Sequence, residues 1–160
     1  MFTEEQFDRL ARTYMDSVFR LAFNYLKSPS EADDITQNVL IKLYRTDKEF
    51  ESQAHIKNWL FRVTVNECKR AFLSPWRQAG AIEDYAEELS FVSPEHSELF
   101  YSVMELPKKY RAAIYLHYYE DYSTDEIADI LGIPSSTVRT QLRRGRELLK
   151  NNLLEAQQNA

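Results

Sequence analysis

Apolar positions recur every three to four residues along most of this chain, the spacing that places them on one face of a helix. Phe7, Leu10, Ala11, Tyr14, Val18, Leu21, Ala22 and Tyr25 predict an amphipathic helix over residues 4–26, closed by Lys27-Ser28-Pro29. A second helix is expected to start at Ser30, whose spacing from Asp33 suits a capping box, with Ile35, Val39 and Leu43 as its stripe and Leu40 widening it. After a polar break at 45–55, a third helix is expected from about Ile56 to Leu73, with Ile56, Trp59, Leu60 and Val63 facing the core. The periodicity lapses over 74–94, which hold Pro75, Gly80, Pro94 and the acids Glu83, Asp84, Glu87 and Glu88, so this stretch reads as a flexible acidic linker. It returns from Glu95. Leu99, Val103 and Leu106 suit a helix ending before Pro107, and Tyr110, Ala113, Ile114, Leu116 and Tyr118 suit the next. The expected fold is all-α: two small helical domains, 1–73 and 95–155, joined by the linker 74–94.

The sharpest local pattern covers residues 123–150. Ser123-Thr124-Asp125-Glu126 has the spacing of a capping box, Ile127, Ala128, Ile130 and Leu131 share a face, and Gly132 supplies a left-handed stop. Pro134 and Ser135-Ser136 open another helix, with a serine expected as N-cap. Helix, short glycine turn, helix is the two-helix unit that reads DNA. On the second of these helices Val138, Leu142, Gly145 and Leu149 form a core arc. Opposite lie Ser136, Arg139, Thr140 and Arg143, flanked by Arg144 and Arg146. Arginine can hold guanine edges or phosphates, and serine and threonine can do either. Ser136, Arg139, Thr140 and Arg143 are therefore the base-edge candidates, and Arg144, Arg146 and Lys150 the phosphate candidates. Ser123 and Thr124 could offer their amides to a phosphate.

The third helix carries a second candidate surface. Asn58, Arg62, Asn66 and Lys69 share an arc away from its core stripe, and the polar loop before it, Phe50 to His55, is long enough to pocket an unpaired base. The second helix presents Asp33, Asp34 and Gln37 beside Lys42, a mixed face that suits solvent or a partner.

Charge and composition narrow the classes. The net charge of −5 argues against nucleic acid only until it is located. Residues 1–72 hold 11 basic and 11 acidic groups and 99–160 hold eight of each, so the imbalance lies in 73–98, with one arginine and six acids. No apolar run approaches a membrane span, and Met1-Phe2-Thr3-Glu4-Glu5 lacks the pattern of an export signal, so a cytoplasmic protein without membrane insertion is expected. The single cysteine, Cys68, excludes an internal disulfide and reads as a packing residue. His55, His96 and His117 have no metal-ligand spacing, and no phosphate-cradling glycine loop or Ser-His-Asp set occurs. No cofactor, metal site or catalytic residue is expected.

Taken as a set, Ala32-Asp33-Asp34-Ile35-Thr36-Gln37, Trp59 to Asn66, Leu106 to Arg111, Tyr122 to Ala128 and Ser136 to Thr140 resemble the extracytoplasmic-function (ECF) group of sigma-70 factors. The likeness covers nearly all of the chain outside the linker. It implies a non-enzymatic specificity subunit of bacterial RNA polymerase. Asp33, Asp34, Gln37 and Leu40 would lie on the helix that binds the polymerase clamp. Gln53, His55, Asn58, Arg62, Asn66 and Lys69 would meet the −10 element. Ser123, Thr124, Ser136, Thr137, Arg139, Thr140, Arg143, Arg144 and Arg146 would meet the −35 element. The implied partners are core polymerase, through its clamp and flap, promoter DNA, and an anti-sigma factor, which could be membrane-bound. Asn38 departs from the glutamate that the family often carries in the clamp helix. The alternative is a free-standing helix-turn-helix regulator acting as a dimer, which needs a ligand pocket or a dimer surface in the first 72 residues.

Overall fold

The computed structural model describes residues 1–73 and 97–158, and the linker expectation for 74–94 lies outside them. The chain divides into two units, Met1–Glu88 and Leu89–Ala160. Every regular element among the described residues is helical.

The first unit packs three helices, α1 (Glu4–Leu26), α2 (Pro29–Arg45) and α3 (Gln53–Phe72), around one core. Thr3 opens α1 with a complete capping box: its hydroxyl accepts from the Gln6 amide, and the Gln6 side chain accepts from the Thr3 amide. Lys27 closes α1 in the left-handed conformation, at φ 54°. The start of α2 differs from the sequence expectation. Ser28, not Ser30, is its N-cap, accepting from the Glu31 amide at 3.3 Å. Pro29 then occupies the first turn, where a missing N–H costs nothing and a fixed φ suits the helix.

Val18, Leu21, Phe23, Leu26, Val39, Leu43, Leu60, Phe61 and Val65 are all fully buried in this core. Two buried threonines join them without an orphaned hydroxyl. Thr36 donates to the Ala32 carbonyl and Thr64 to that of Leu60, each at 2.7 Å. Cys68 is buried, as a packing residue should be. The core stripe of α3 is turned from the expected one: Phe61, Thr64 and Val65 are buried, while Trp59 and Val63 are only half-buried. Lys42 of α2 pairs with Glu67 of α3, which Arg70 also grips at 2.7 Å.

The second unit contains α4 (Ser97–Met104), α5 (Lys108–Ile114), a π turn (Tyr115–Tyr119), α6 (Thr124–Leu131) and α7 (Ser135–Gln158). Arg111 is buried, and donates to the Leu106 and Met104 carbonyls at 3.1 and 3.5 Å. A cation there satisfies carbonyls left over at the end of α4. The π turn overturns one expectation. Its wider winding shifts the phase of the chain, so Leu116 is buried while Tyr118 stands half-exposed at the surface.

The crossing of α5 and α7 is close because residue 145 is glycine. A Cβ there would sit 3.1 Å from Cγ1 of Ile114 and 3.3 Å from Cβ of Tyr110. Val138, Leu142 and Gly145 form the buried arc of α7, and Leu149 continues it half-buried.

Candidate nucleic-acid interface

The helix-turn-helix is built from interlocking caps. Ser123 begins α6 with both halves of a capping box: its hydroxyl accepts from the Glu126 amide at 3.2 Å, and the Glu126 carboxylate accepts from its amide at 3.0 Å. Ser123 thus has its amide and hydroxyl engaged before any phosphate arrives, and Thr124 beside it is half-buried. Gly132 ends α6 at φ 70°, its amide bonding the Ala128 carbonyl at 2.9 Å. Only glycine adopts that conformation without steric cost. The start of α7 corrects the expectation of a serine cap. The Pro134 carbonyl receives the first helical bonds, from Thr137 and Val138, and Ser135 instead donates to the Asp125 carboxylate at 2.6 Å. That bond ties the two helices of the motif together at their N-terminal ends.

From this frame α7 presents its polar face. Ser136, Arg139, Arg143, Arg144 and Arg146 are exposed, and Thr137 and Thr140 are half-buried beside them. The Thr140 hydroxyl donates to the Ser136 carbonyl at 3.1 Å, which leaves its oxygen free to accept. Arg146 is held from outside its own helix, donating to the hydroxyl of Tyr118 in the π turn at 3.0 Å. The π turn is itself fixed. His117 Nδ1 lies 2.9 Å from the Tyr122 carbonyl, and a carbonyl can only accept, so that nitrogen carries the proton. The Tyr118–Arg146 bond escaped the sequence reading because no apolar periodicity signals a π turn.

In the first unit Arg62, Asn66 and Lys69 are exposed at spacings of four and three on α3, one face of the helix. Asn58, placed with them by the sequence, is half-buried. The loop before α3 is shorter than expected. Ser52 is the N-cap, accepting from the His55 amide at 3.1 Å, so Gln53, Ala54 and His55 form the first helical turn. Gln53 is exposed and His55 half-buried. The His55 Nδ1 accepts from the Glu51 amide at 3.1 Å. Its ring meets Phe50 edge to face at 5.2 Å, and Trp59 meets the same ring at 5.5 Å.

On α2, Asp33, Asp34 and Gln37 are exposed and Leu40 is half-buried. The Gln37 amide donates to Asp33 at 3.0 Å. An open groove nearby is lined by Asn38, Ile41, Lys42, Arg45, Thr46, Trp59 and Glu67. No cluster of metal-ligating side chains occurs among the described residues.

Two helical units, one with a capped helix-turn-helix and an arginine-rich outer face, have the build of a DNA-binding protein, and comparison with known proteins gives the class. Residues 10–78 match the family model for sigma-70 region 2, and residues 98–149 that for sigma-70 region 4. The ECF RNA polymerase sigma factor SigW of Bacillus subtilis strain 168 is 30% identical over 168 residues, an alignment covering 94% of this chain and 90% of that protein. The ECF sigma-E factor of Escherichia coli strain K12 is 27% identical, with 94% and 87% covered. The chain belongs to the sigma-70 family of RNA polymerase sigma factors, in its ECF group.

Solved structures agree in fold. The sigma factor RpoE of Bartonella quintana, in complex with the anti-sigma factor NepR, superposes with a TM-score of 0.69 at 20% identity, covering 92% of this chain and 96% of that one. CnrH in complex with the cytosolic domain of CnrY gives 0.69 at 21%, covering 96% and 90%.

Proposed function

We propose that this sigma factor brings core RNA polymerase to two-element promoters, α7 reading the −35 element and the outer face of α3 holding the −10 element as it opens. The observation that carries this reading is the two-sided α7. Val138, Leu142 and Gly145 anchor the helix in its unit, which leaves Arg139, Arg143, Arg144 and Arg146 to face outward. Arg139 and Arg143 lie toward the N-terminal part, which enters the major groove in this motif, and bidentate arginine contacts there would select guanine. Ser136, Thr137 and Thr140 border the same patch. Arg144 and Arg146 would lie nearer the groove wall and hold phosphate, with Ser123 and Thr124 at the start of α6 flanking the backbone.

At the −10 element, Asn66 carries both a donor and an acceptor for the Watson–Crick edge of an unpaired base. Arg62 and Lys69, on the same face, would follow the strand's phosphates. Gln53 and His55 would line the approach from the first turn of α3, with Asn58 beside them. Residues 1–73 and 95–155 would thus serve the two elements, and 74–94 would connect them. Fully extended, the 23 residues 74–96 between the two described stretches reach roughly 76 Å at about 3.3 Å per residue. Two sites two helical turns apart lie roughly 70 Å from each other.

Asp33, Asp34, Gln37 and Leu40 on α2 would form the clamp-binding surface, and the second unit would meet the flap. Polymerase would then supply the catalysis and most of the affinity, which suits a chain without excess positive charge. No described helix is long and apolar enough to cross a membrane. We place the protein in the cytoplasm with polymerase, held in check by an anti-sigma factor, as the two structural relatives are captured with theirs.

Run-off transcription with purified core polymerase tests the reading. A transcript that requires both promoter elements is expected. Tight, dimeric binding to palindromic DNA with no transcript from any promoter would replace it with a free-standing regulator.

A further inference from the structure

Phe2, just ahead of the first helix, has its ring contact far away in sequence. It lies in the N′ position before the Thr3 cap of α1, and the capping box fixes where the chain ahead of the helix points. The Phe2 ring stacks on Phe50, with centroids 5.9 Å apart and planes 11° from parallel. Phe50 is the hub of the turn before α3. His55 and Trp59 meet its ring edge to face at 5.2 and 5.5 Å. The next residue, Glu51, donates its amide to His55 Nδ1, and Ser52 caps the helix through the His55 amide. Phe2 is half-buried, whereas Met1 before it is 78% exposed.

We propose that Phe2 is a positioning residue for −10 recognition: stacked on Phe50, it braces the turn 50–52 that presents Gln53 and His55 to the unpaired strand. Phe50 has two of its ring contacts on α3 itself. Phe2 comes from the segment just ahead of α1 and adds a contact that ties the turn to a second part of the unit. Removing the ring releases the turn while leaving α1 capped through Thr3 and the core untouched. The inference rests on the −10 reading of α3 proposed above.

The test uses holoenzyme assembled from core polymerase and the full chain, with promoter opening followed by permanganate reactivity across a set of single-base −10 variants. Phe2→Ala is expected to lower opening on the preferred −10 sequence by roughly 2- to 10-fold, the range an aromatic pair supplies. It should also flatten discrimination at the bases beside the turn. Phe2→Tyr should restore both, and binding to −35 duplex should not change. Hydrogen exchange at the Glu51 amide should quicken in Phe2→Ala. Asn66→Ala separates this inference from the reading beneath it. If Asn66→Ala alters the −10 profile and Phe2→Ala does not, Phe2 has no positioning role and the −10 reading stands. A uniform drop on every −10 variant after Phe2→Ala, or failure of Phe2→Tyr to rescue, also overturns the proposal. If Asn66→Ala and Gln53→Ala both leave the profile unchanged, the −10 reading falls and this inference with it.

Discussion

Gly145 of α7 lies directly against Ile114 of α5, so close that a Cβ on the glycine would stand 3.1 Å from Cγ1 and 3.3 Å from Cδ1 of the isoleucine. Tyr110 closes the same space at 3.3 Å, and both neighbours are buried, so neither side chain can swing aside. Gly145→Ala gains about 1 kcal/mol of helix propensity. Crowding in a packed interior costs about 1–3 kcal/mol, and here it meets two neighbours at once. A net destabilisation of about 1 kcal/mol is expected from urea unfolding. Trimming Ile114 to Val should cost less in the Gly145→Ala background than alone, because it removes Cδ1, one of the two Ile114 atoms crowded by the new Cβ. Equal costs in both backgrounds would mean that α5 moves away freely.

Arg139 is exposed on the polar arc of α7, one residue past the buried Val138 that anchors the helix. If it reads a base edge, Arg139→Ala should cost about 1–3 kcal/mol at one −35 position and relax discrimination there. Lys150→Ala should behave differently, weakening all sequences alike and lowering the salt dependence of binding by about one charge. Binding measured across single-base −35 variants at several salt concentrations separates the two. An unchanged −35 profile for Arg139→Ala would remove it from the base-reading set.

Those predictions draw on the part of the molecule that was plainest in the sequence. Ser123, Gly132 and the buried arc from Val138 to Gly145 act through local chemistry: a cap three residues from its partner, a positive φ, a period of 3.6. Such signals survive folding because no distant element competes with them. Where two signals of the same kind lie side by side, a neighbouring residue decides between them. Ser28 and Ser30 both suit a cap, and Pro29, which favours the first helical turn, decides for Ser28. On α3 the buried face includes Thr64, a polar residue that a stripe of apolar positions does not mark, because its hydroxyl is satisfied within the helix. Relations between distant residues left no trace in periodicity. Tyr118 with Arg146, Phe2 with Phe50 and buried Arg111 with the end of α4 each depend on packing that brings separate segments together.

The Tyr118–Arg146 bond gives a prediction of its own. A guanidinium held at 3.0 Å by a neighbouring phenol has less freedom to lose when it meets a phosphate. Tyr118→Phe keeps the ring against His117 and removes only the acceptor. It should weaken −35 duplex binding by up to about 1 kcal/mol, the scale of one hydrogen bond, and by less than Arg146→Ala does. The double variant should match Arg146→Ala alone, since Tyr118 acts through the arginine. Additive losses would show that Tyr118 contacts DNA itself.

The neighbouring phenol predicts how the second unit responds to alkali. Tyr119 ends the π turn, its ring stacked on Tyr115 at 5.6 Å, and burial raises its pKa above the ordinary 10.0 by disfavouring the phenolate. In the unfolded chain the same phenol titrates at the ordinary value, so above it the unfolded state has lost a proton that the folded state retains. The resulting stabilisation is fully present below pH 10.0 and is lost as pH rises from there through the higher folded value. Tyr119→Phe keeps the stacked ring and has no proton to lose. Unfolding followed from neutral to strongly alkaline pH should therefore show the variant losing less stability than the parent over that window, with the two alike near neutrality. Parallel curves throughout the alkaline range would show that Tyr119 ionises in the folded protein as easily as in the unfolded chain.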